Sequence, residues 1–186
     1  VVGAGRVGAV LGAAFMRAGH RVTACTAVSD VSRLRVEALL PGVPVRPVHE
    51  AVAGVDLVLL AVPDDVLQPL ATGLAATGAI AAGTLVVHTS GRFGTEVLQP
   101  LVEFGVEPIA LHPVMTFTGT SVDVARLSGC PFGVTAEPGL RPVAEALVVE
   151  LGGEPIWIPQ DQRPLYHAAL SFGSNFITTL VNESVS

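Results

Sequence analysis

The chain has 186 residues, half of them apolar, and a formal net charge of −6. That length suits one domain with the start of another, and an acidic balance without a basic cluster excludes nucleic acid as a general partner. Cys25 and Cys130 are too few for a disulfide scaffold and lack metal-ligand spacing, so both are expected as buried small hydrophobes, with no metal site. No run of about 18 apolar residues is free of Gly, Pro or polar breaks, which predicts no transmembrane helix and no membrane partner. With no signal peptide visible, the cytoplasm is the expected location.

The first eight residues, Val1 to Gly8, read as the end of a buried strand running into a G-x-G-x-x-G turn that opens a helix. Each glycine has a separate task in such a turn. Gly3 makes the tight bend, Gly5 lets backbone approach a pyrophosphate, and Gly8 lets helix and strand pack closely. The helix N-terminus then presents free N–H groups and a positive dipole end, so Gly3, Gly5, Arg6, Val7 and Gly8 are expected to hold a dinucleotide. Only two residues precede Gly3, against about five in an average strand. The chain also stops inside an apparent helix, so it is expected to be trimmed at both ends.

Further along, strand-like runs alternate with helix-like ones. Strands are predicted near 1–2, 21–26, 44–46, 57–62, 85–88, 107–111, 131–135 and 155–158. Helices are predicted near 6–18, 30–39, 64–76, 94–104 and 139–151, with a long one from about 161. The βαβ alternation implies an α/β fold with a doubly wound, mostly parallel sheet. The segment 112–130, rich in Thr, Ser and Gly, breaks the rhythm and is expected as an irregular crossing near the active face. Residues 1–159 are assigned to the dinucleotide-binding domain and 160–186 to the first helix of a truncated C-terminal helical domain. In that helix His167, Ser171, Asn175, Thr178 and Asn182 form one polar stripe beside a broad apolar face, and the stripe is expected to point at a site.

The second predicted strand ends in Ala24-Cys25-Thr26, without the acid that holds ribose hydroxyls in an NAD site. Ser29, Ser32 and Arg33 follow, groups able to donate to a 2′-phosphate, so NADP(H) is preferred over NAD(H), with Thr26, Ser29 and Arg33 expected at the cofactor. Arg33 and Arg35 form a rare local basic group, although both could be a solvated helix face, and Asp30 could serve as the acid if the strand runs longer. Ala61, Val62 and Pro63 end the fourth strand and are expected to pack under the cofactor. Ser90 and His112 fall at the ends of the next two strands, where open α/β sheets bind ligands. With Asn175 and His167 they are the candidate catalytic residues, supplying a proton and polarising a carbonyl or imine. His88 is the weaker candidate, more in keeping with a structural histidine.

The motifs GAGRVG, AVPDD, HTSG, LHPVMTF and YHAALSFGSN together resemble a bacterial family that joins a Rossmann-like domain to a helical C-terminal domain of unknown function. That family sits in the 6-phosphogluconate dehydrogenase-like group, beside ketopantoate, pyrroline-carboxylate and 3-hydroxyacid reductases. The resemblance implies a homodimer formed through the helical domain and a small carboxylate substrate held between domains. It also implies an NADPH-dependent reduction of a 2-oxo acid, with ketopantoate as the best specific substrate. Asn175 matches an asparagine of the wider group, but Ser171 stands where that group carries a lysine, so His112 or His167 is expected to supply the proton. The alternatives are a pyrroline-carboxylate-type imine reductase and a dinucleotide-binding sensor or scaffold without chemistry.

Overall fold

The computed structural model describes residues 1–185, of which 175, 178, 180–182, 184 and 185 are described by their backbone only. Five strands form its sheet in the order of the chain: β1 (Leu57–Leu60), β2 (Leu85–His88), β3 (Glu107–Pro113), β4 (Pro131–Ala136) and β5 (Glu154–Trp157). All neighbours run parallel except β3 and β4, where His112 stands opposite Gly133 in an antiparallel pair. The sheet continues past β1 through three short extended segments. Val2 bridges Leu60, Thr26 exchanges backbone hydrogen bonds with Val1 and Ala4, and Cys25 bridges Val45. The resulting spatial order is doubly wound, with the glycine turn at the centre.

Sequence alternation explains how both faces are covered. In β1, Val58 and Leu60 point into one apolar cluster with Leu67 and Leu74 of α4 (Asp64–Thr77), Val86, Leu98 and Leu101, while Leu59 points into the other. That second cluster holds Val10, Leu11 and Phe15 of α1 (Arg6–Arg17) and Val36 of α2 (Asp30–Leu39). It also holds Ile109, Phe132 and Leu147, the last from α7 (Arg141–Glu150). A strand buried on both faces needs apolar residues in succession, which is what Leu57-Val58-Leu59-Leu60 supplies. Cys25 and Cys130 are both free and buried. Among the described residues no helix is long and apolar enough to cross a membrane.

Three predicted elements differ from the structure. The strand expected over 21–26 pairs only around Cys25, because its outer neighbour 44–46 lies between Pro44 and Pro47, which have no N–H to give. The helix expected over 94–104 divides into a 3-10 turn (Thr95–Leu98) and a short α5 (Gln99–Val102). Two further helices were not expected, α3 (Val48–Ala51) and α6 (Ser121–Arg126), the latter inside the supposedly irregular crossing. The side chain of Asp123 organises that crossing. It is fully buried and accepts from the N–H of Thr118 and of Gly119, each at 2.7 Å, and from the Thr118 hydroxyl at 3.0 Å.

Burial alone would raise the Asp123 pKa, but the bonds from Gly119 and Thr118 outweigh it and hold the carboxyl below its ordinary value. A carboxylate depressed in the folded state stabilises it above the unfolded pKa of about 3.9, and that contribution is lost as pH falls further. Replacing Asp123 by Ala leaves the buried N–H of Gly119 and the partly buried N–H of Thr118 unpaired. Urea unfolding near neutral pH should show a loss of about 2–3 kcal/mol. A loss below about 0.5 kcal/mol would mean that the loop holds itself without the carboxylate.

Candidate functional site

The glycine turn takes the shape its sequence predicts, with a distinct reason at each glycine. Gly3 has φ +89°, and a Cβ there would stand 2.6 Å from the carbonyl oxygen of Ala61. A Cβ on Gly8 would run into the Gly3 carbonyl and reach Ala61 Cβ at 2.9 Å. A Cβ on Gly5 would meet no atom within 4 Å, so this position faces open space. Gly5 is also the N-cap of α1, with no side chain capping the helix and no acid in its first turn. A twelve-residue helix thus presents its unpaired N–H groups and positive end across Gly5, a combination that suits an anion.

Along the carboxyl ends of the strands, one crevice of about 420 Å³ joins this turn to the later strands. Gly5, Arg6 and Val7 line it at one end. Ala61, Val62 and Pro63 form its floor after β1, and Ser90, His112 and His167 lie at the other end. A second cavity of about 530 Å³ opens from His112 and His167 along Leu170, Ser171 and Ser174 of α8 (Arg163–Val185). Its walls are Val114, Met115 and Thr116. Those α8 positions recur at helical spacing, so the first part of the predicted polar stripe does face a cavity. The Asn175 side chain, and those of Thr178 and Asn182, lie outside the described residues. A smaller cavity between Val1, His20 and Asp56 lies at the opposite, amino-terminal end of the strands.

The remaining predicted cofactor residues are placed differently from one another. The Thr26 hydroxyl accepts from the Gly3 N–H at 2.8 Å and so braces the turn. Ser29 and Ser32 cap α2 reciprocally, with Asp30 in the first turn, and their hydroxyls are engaged there. Arg33 is exposed. Arg35, two residues on and half-buried, lies against Gly119, which also touches Arg6: a Cβ on Gly119 would be 2.6 Å from Arg35 Nε and 3.1 Å from Arg6 Cα. The α2 cation near the anion-ready end of α1 is therefore Arg35, and the Asp123-braced loop is what brings them together.

Of the strand-end groups, His88 is fully buried and structural. Its Nε2–H donates to the Gly94 carbonyl at 2.8 Å, and its Nδ1 accepts from the Ser90 N–H at 3.2 Å. The Ser90 hydroxyl accepts from the N–H groups of Arg92 and Phe93, which leaves its own proton for a further acceptor. His112 shares a hydrogen bond of 2.8 Å between Nδ1 and the Tyr166 hydroxyl. Burial, then the charges of Arg163 and His167, pushes its pKa down to about 4. The described residues hold no cluster of three or more His, Cys, Asp or Glu side chains placed to bind a metal.

Sequence reading missed Arg163 and Tyr166. Arg163 is fully buried, and among the described residues no carboxylate stands within ion-pair distance of it. It donates from Nε to the Thr135 hydroxyl at 2.7 Å and from its terminal nitrogens to the carbonyls of Ser90, Ala110 and Gly133 at 2.9–3.3 Å. Burial lowers its pKa to about 10, so it stays charged at neutral pH. A signal was present: a cation as the first residue of a helix opposes the helix dipole, and such a local conflict points to a tertiary role.

A doubly wound α/β sheet with a glycine turn opening onto a strand-end crevice defines a protein of the Rossmann class. The chain belongs to the family described as a Rossmann-like domain, whose profile matches residues 1–113. A second profile, a domain of unknown function (DUF2520), matches residues 130–186. The fold is similar to that of a Bacteroides fragilis protein provisionally assigned as an NADP oxidoreductase, at 21% identity and a TM-score of 0.74 over 96% of this chain and 67% of that one. It is also similar to prephenate dehydrogenase from Aquifex aeolicus, at 14% identity and TM-score 0.73 over 98% of this chain and 70% of that one. Pyrroline-5-carboxylate reductase from Coxiella burnetii gives 14% and 0.72 over 98% and 66%. The chain spans about two thirds of the length of these solved structures, and at such identities the likeness establishes a shared fold. No curated protein sequence matches the chain.

The buried histidines set an acid limit on stability. Burial, only partly offset by the bond to Gly94, holds His88 at about 4, and His112 is lowered to a similar value. Between about pH 6.5 and 4 the unfolded chain binds protons that the folded rings do not, so stability falls as pH falls through that window. His88 alone accounts for up to about 3 kcal/mol. Unfolding measured at about pH 7.5, 5.5 and 4.5 should show the decline. A flat profile down to pH 5 would mean that neither ring is held neutral.

Proposed function

We propose that the protein is an NADPH-dependent oxidoreductase that reduces a small 2-oxo acid, with ketopantoate the best specific substrate. The observation that carries this reading is a single crevice with an anion-ready helix end at Gly5 and two histidines at the other. The resemblance of the LHPVMTF and YHAALSFGSN motifs supports the substrate class. Gly3, Gly5 and Gly8 with the N–H groups of α1 would hold the pyrophosphate, and Ala61, Val62 and Pro63 would support the nicotinamide end. A bound nicotinamide would supply the hydride.

The chain's own residues do the rest. His112, already inside the crevice, meets the substrate oxygen, and Ser90 has one hydroxyl proton to donate. His167 borders both cavities and lies where a carboxylate entering from the second one would pass. Arg33 and Arg35 are the cations available to a 2′-phosphate, of which Arg35 is the better placed. Exposed Leu165, Phe172, Phe176 and Ile177 on α8 are in keeping with a homodimer formed through a helical C-terminal part. A second reading, a dinucleotide-binding sensor, draws on Ser171 at the place of the wider group's lysine.

The test is titration with NADPH and with NADH, followed by NADPH oxidation with ketopantoate added. Gly5→Ala should leave stability within about 0.5 kcal/mol, because its Cβ meets open space, yet weaken either nucleotide at least ~10-fold by blocking the phosphate. Arg35→Ala should weaken NADPH more than Arg33→Ala does, by about 10-fold or more. His112→Ala should lower turnover by about 100-fold or more with NADPH binding kept. Binding without turnover on any 2-oxo acid favours the sensor, and no binding of either nucleotide ends the proposal.

A further inference from the structure

The ring of His112 is held on two sides by glycines that make room for it. On β2's outgoing turn, a Cβ at Gly91 would press on the ring edge, 2.9 Å from Nε2 and 3.0 Å from Cε1. On β4, Gly133 stands opposite His112 in the ladder, and a Cβ there would displace the hydroxyl of Tyr166. That hydroxyl reaches His112 Nδ1 at 2.8 Å, with the two rings edge to face at 5.6 Å and 89°. No group among the described residues bonds Nε2, which lies beside Gly91 where both line the crevice. The buried Arg163 guanidinium lies 5.7 Å from the Tyr166 ring centre.

The charged and titratable groups facing His112 are Arg163, Tyr166 and His167 of α8 and His88 of β2. Among the described residues no carboxylate comes within ion-pair distance of it. An imidazolium would therefore sit beside a guanidinium with no counter-charge, and the ring is neutral. A neutral imidazole carries one proton, and its neighbour decides where. A phenol is the stronger acid of the pair and a ring nitrogen the stronger base, so the bond runs from the Tyr166 O–H to Nδ1. Burial, the largest influence on Tyr166, raises its pKa and keeps that proton in place at rest. The ring's own proton is then on Nε2, toward the crevice.

We propose that Tyr166 is a positioning residue that fixes His112 as the neutral Nε2–H tautomer and replaces, through Nδ1, the proton that Nε2 gives to a substrate oxygen. The inference rests on the reductase reading of the same crevice. The step balances. The Nε2–H bond breaks and an O–H bond forms on the alkoxide, while the Tyr166 proton moves to Nδ1. The ring ends neutral with its tautomer exchanged and the negative charge on the Tyr166 oxygen beside Arg163, until a solvent proton taken up at Nε2 from the crevice sends the Nδ1 proton back to Tyr166. An alkoxide is a far stronger base than a phenolate, so the transfer runs downhill. A neutral histidine in such a place acts as electrophile and proton donor and cannot act as the resting base.

The test is nitrogen NMR of the His112 ring in the whole chain at neutral pH, comparing wild type with Tyr166→Phe. Expected is a neutral ring protonated on Nε2 in the wild type and a shift of protonation toward Nδ1 in the variant, with backbone spectra otherwise alike. Protonation on Nδ1 in the wild type, an imidazolium, or an unchanged ring in Tyr166→Phe would overturn the inference. With ketopantoate and NADPH, Tyr166→Phe should lower kcat by about 100-fold or more while NADPH affinity stays within about 3-fold. Loss of turnover in the wild type would count against the reductase reading alone, because the ring spectra decide the tautomer without any substrate.

Discussion

A buried guanidinium holds together the end of this molecule where the crevice opens. Arg163 opens α8, and its hydrogen bonds reach the turn after β2, the middle of β3 and two positions on β4. Removing a charge of this kind from water costs several kcal/mol, and only full satisfaction of its donors offsets that cost. The three carbonyls and one hydroxyl that bond it are thereby fixed in place. Thr135 in turn donates to the Ile158 carbonyl at 2.6 Å, which carries the order on to the residue that follows β5. His112 and Tyr166 owe their meeting to the same anchor, since Tyr166 follows Arg163 by one helical turn.

The crevice is built by subtraction as much as by contact. Three glycines in the opening turn and Gly91 and Gly133 further on each remove a Cβ that would otherwise occupy a needed volume, but the needs differ. Gly3 and Gly8 make room for protein against protein, Gly5 leaves space for something outside the chain, and Gly91 and Gly133 make room for His112 and Tyr166. A different economy governs the cations. Arg163 is turned inward and structural, while the Arg35 side chain and the Arg6 backbone both lie against Gly119, and neither arginine has an ion pair to a carboxylate among the described residues. The loop that brings them together depends on Asp123, whose charge the folded state holds through backbone N–H groups.

Much of this was legible in the amino-acid order because it is local. Hydrophobic alternation marked the strands, the G-x-G-x-x-G spacing marked the turn, and strand ends marked Ser90 and His112. What escaped depends on contacts across long sequence separations. The hydroxyls of Thr26 and Ser29 also hold protein groups, one bracing Gly3 and the other capping its own helix. Arg33 and Arg35 look alike in sequence, and only the packing of a loop more than 80 residues further on distinguishes them. Tyr166 heads the YHAALSFGSN motif, but its pairing with His112 had no sequence signal, because the two lie 54 residues apart. The polarity of 112–130 concealed a helix because Thr, Ser and Asp at a helix start read equally well as a loop.

The helix end behind Gly5 and the strand ends near His112 are proposed to form one dinucleotide site. Amide chemical-shift mapping of the whole chain during addition of NADPH tests it most directly. One shared site would give saturable shifts concentrated at Gly3 to Gly8, Ala61 to Val62 and Thr89 to Gly91, with smaller ones near Arg35 and Gly119. Shifts confined to the cavity between Val1, His20 and Asp56, or none at saturating nucleotide, would contradict it.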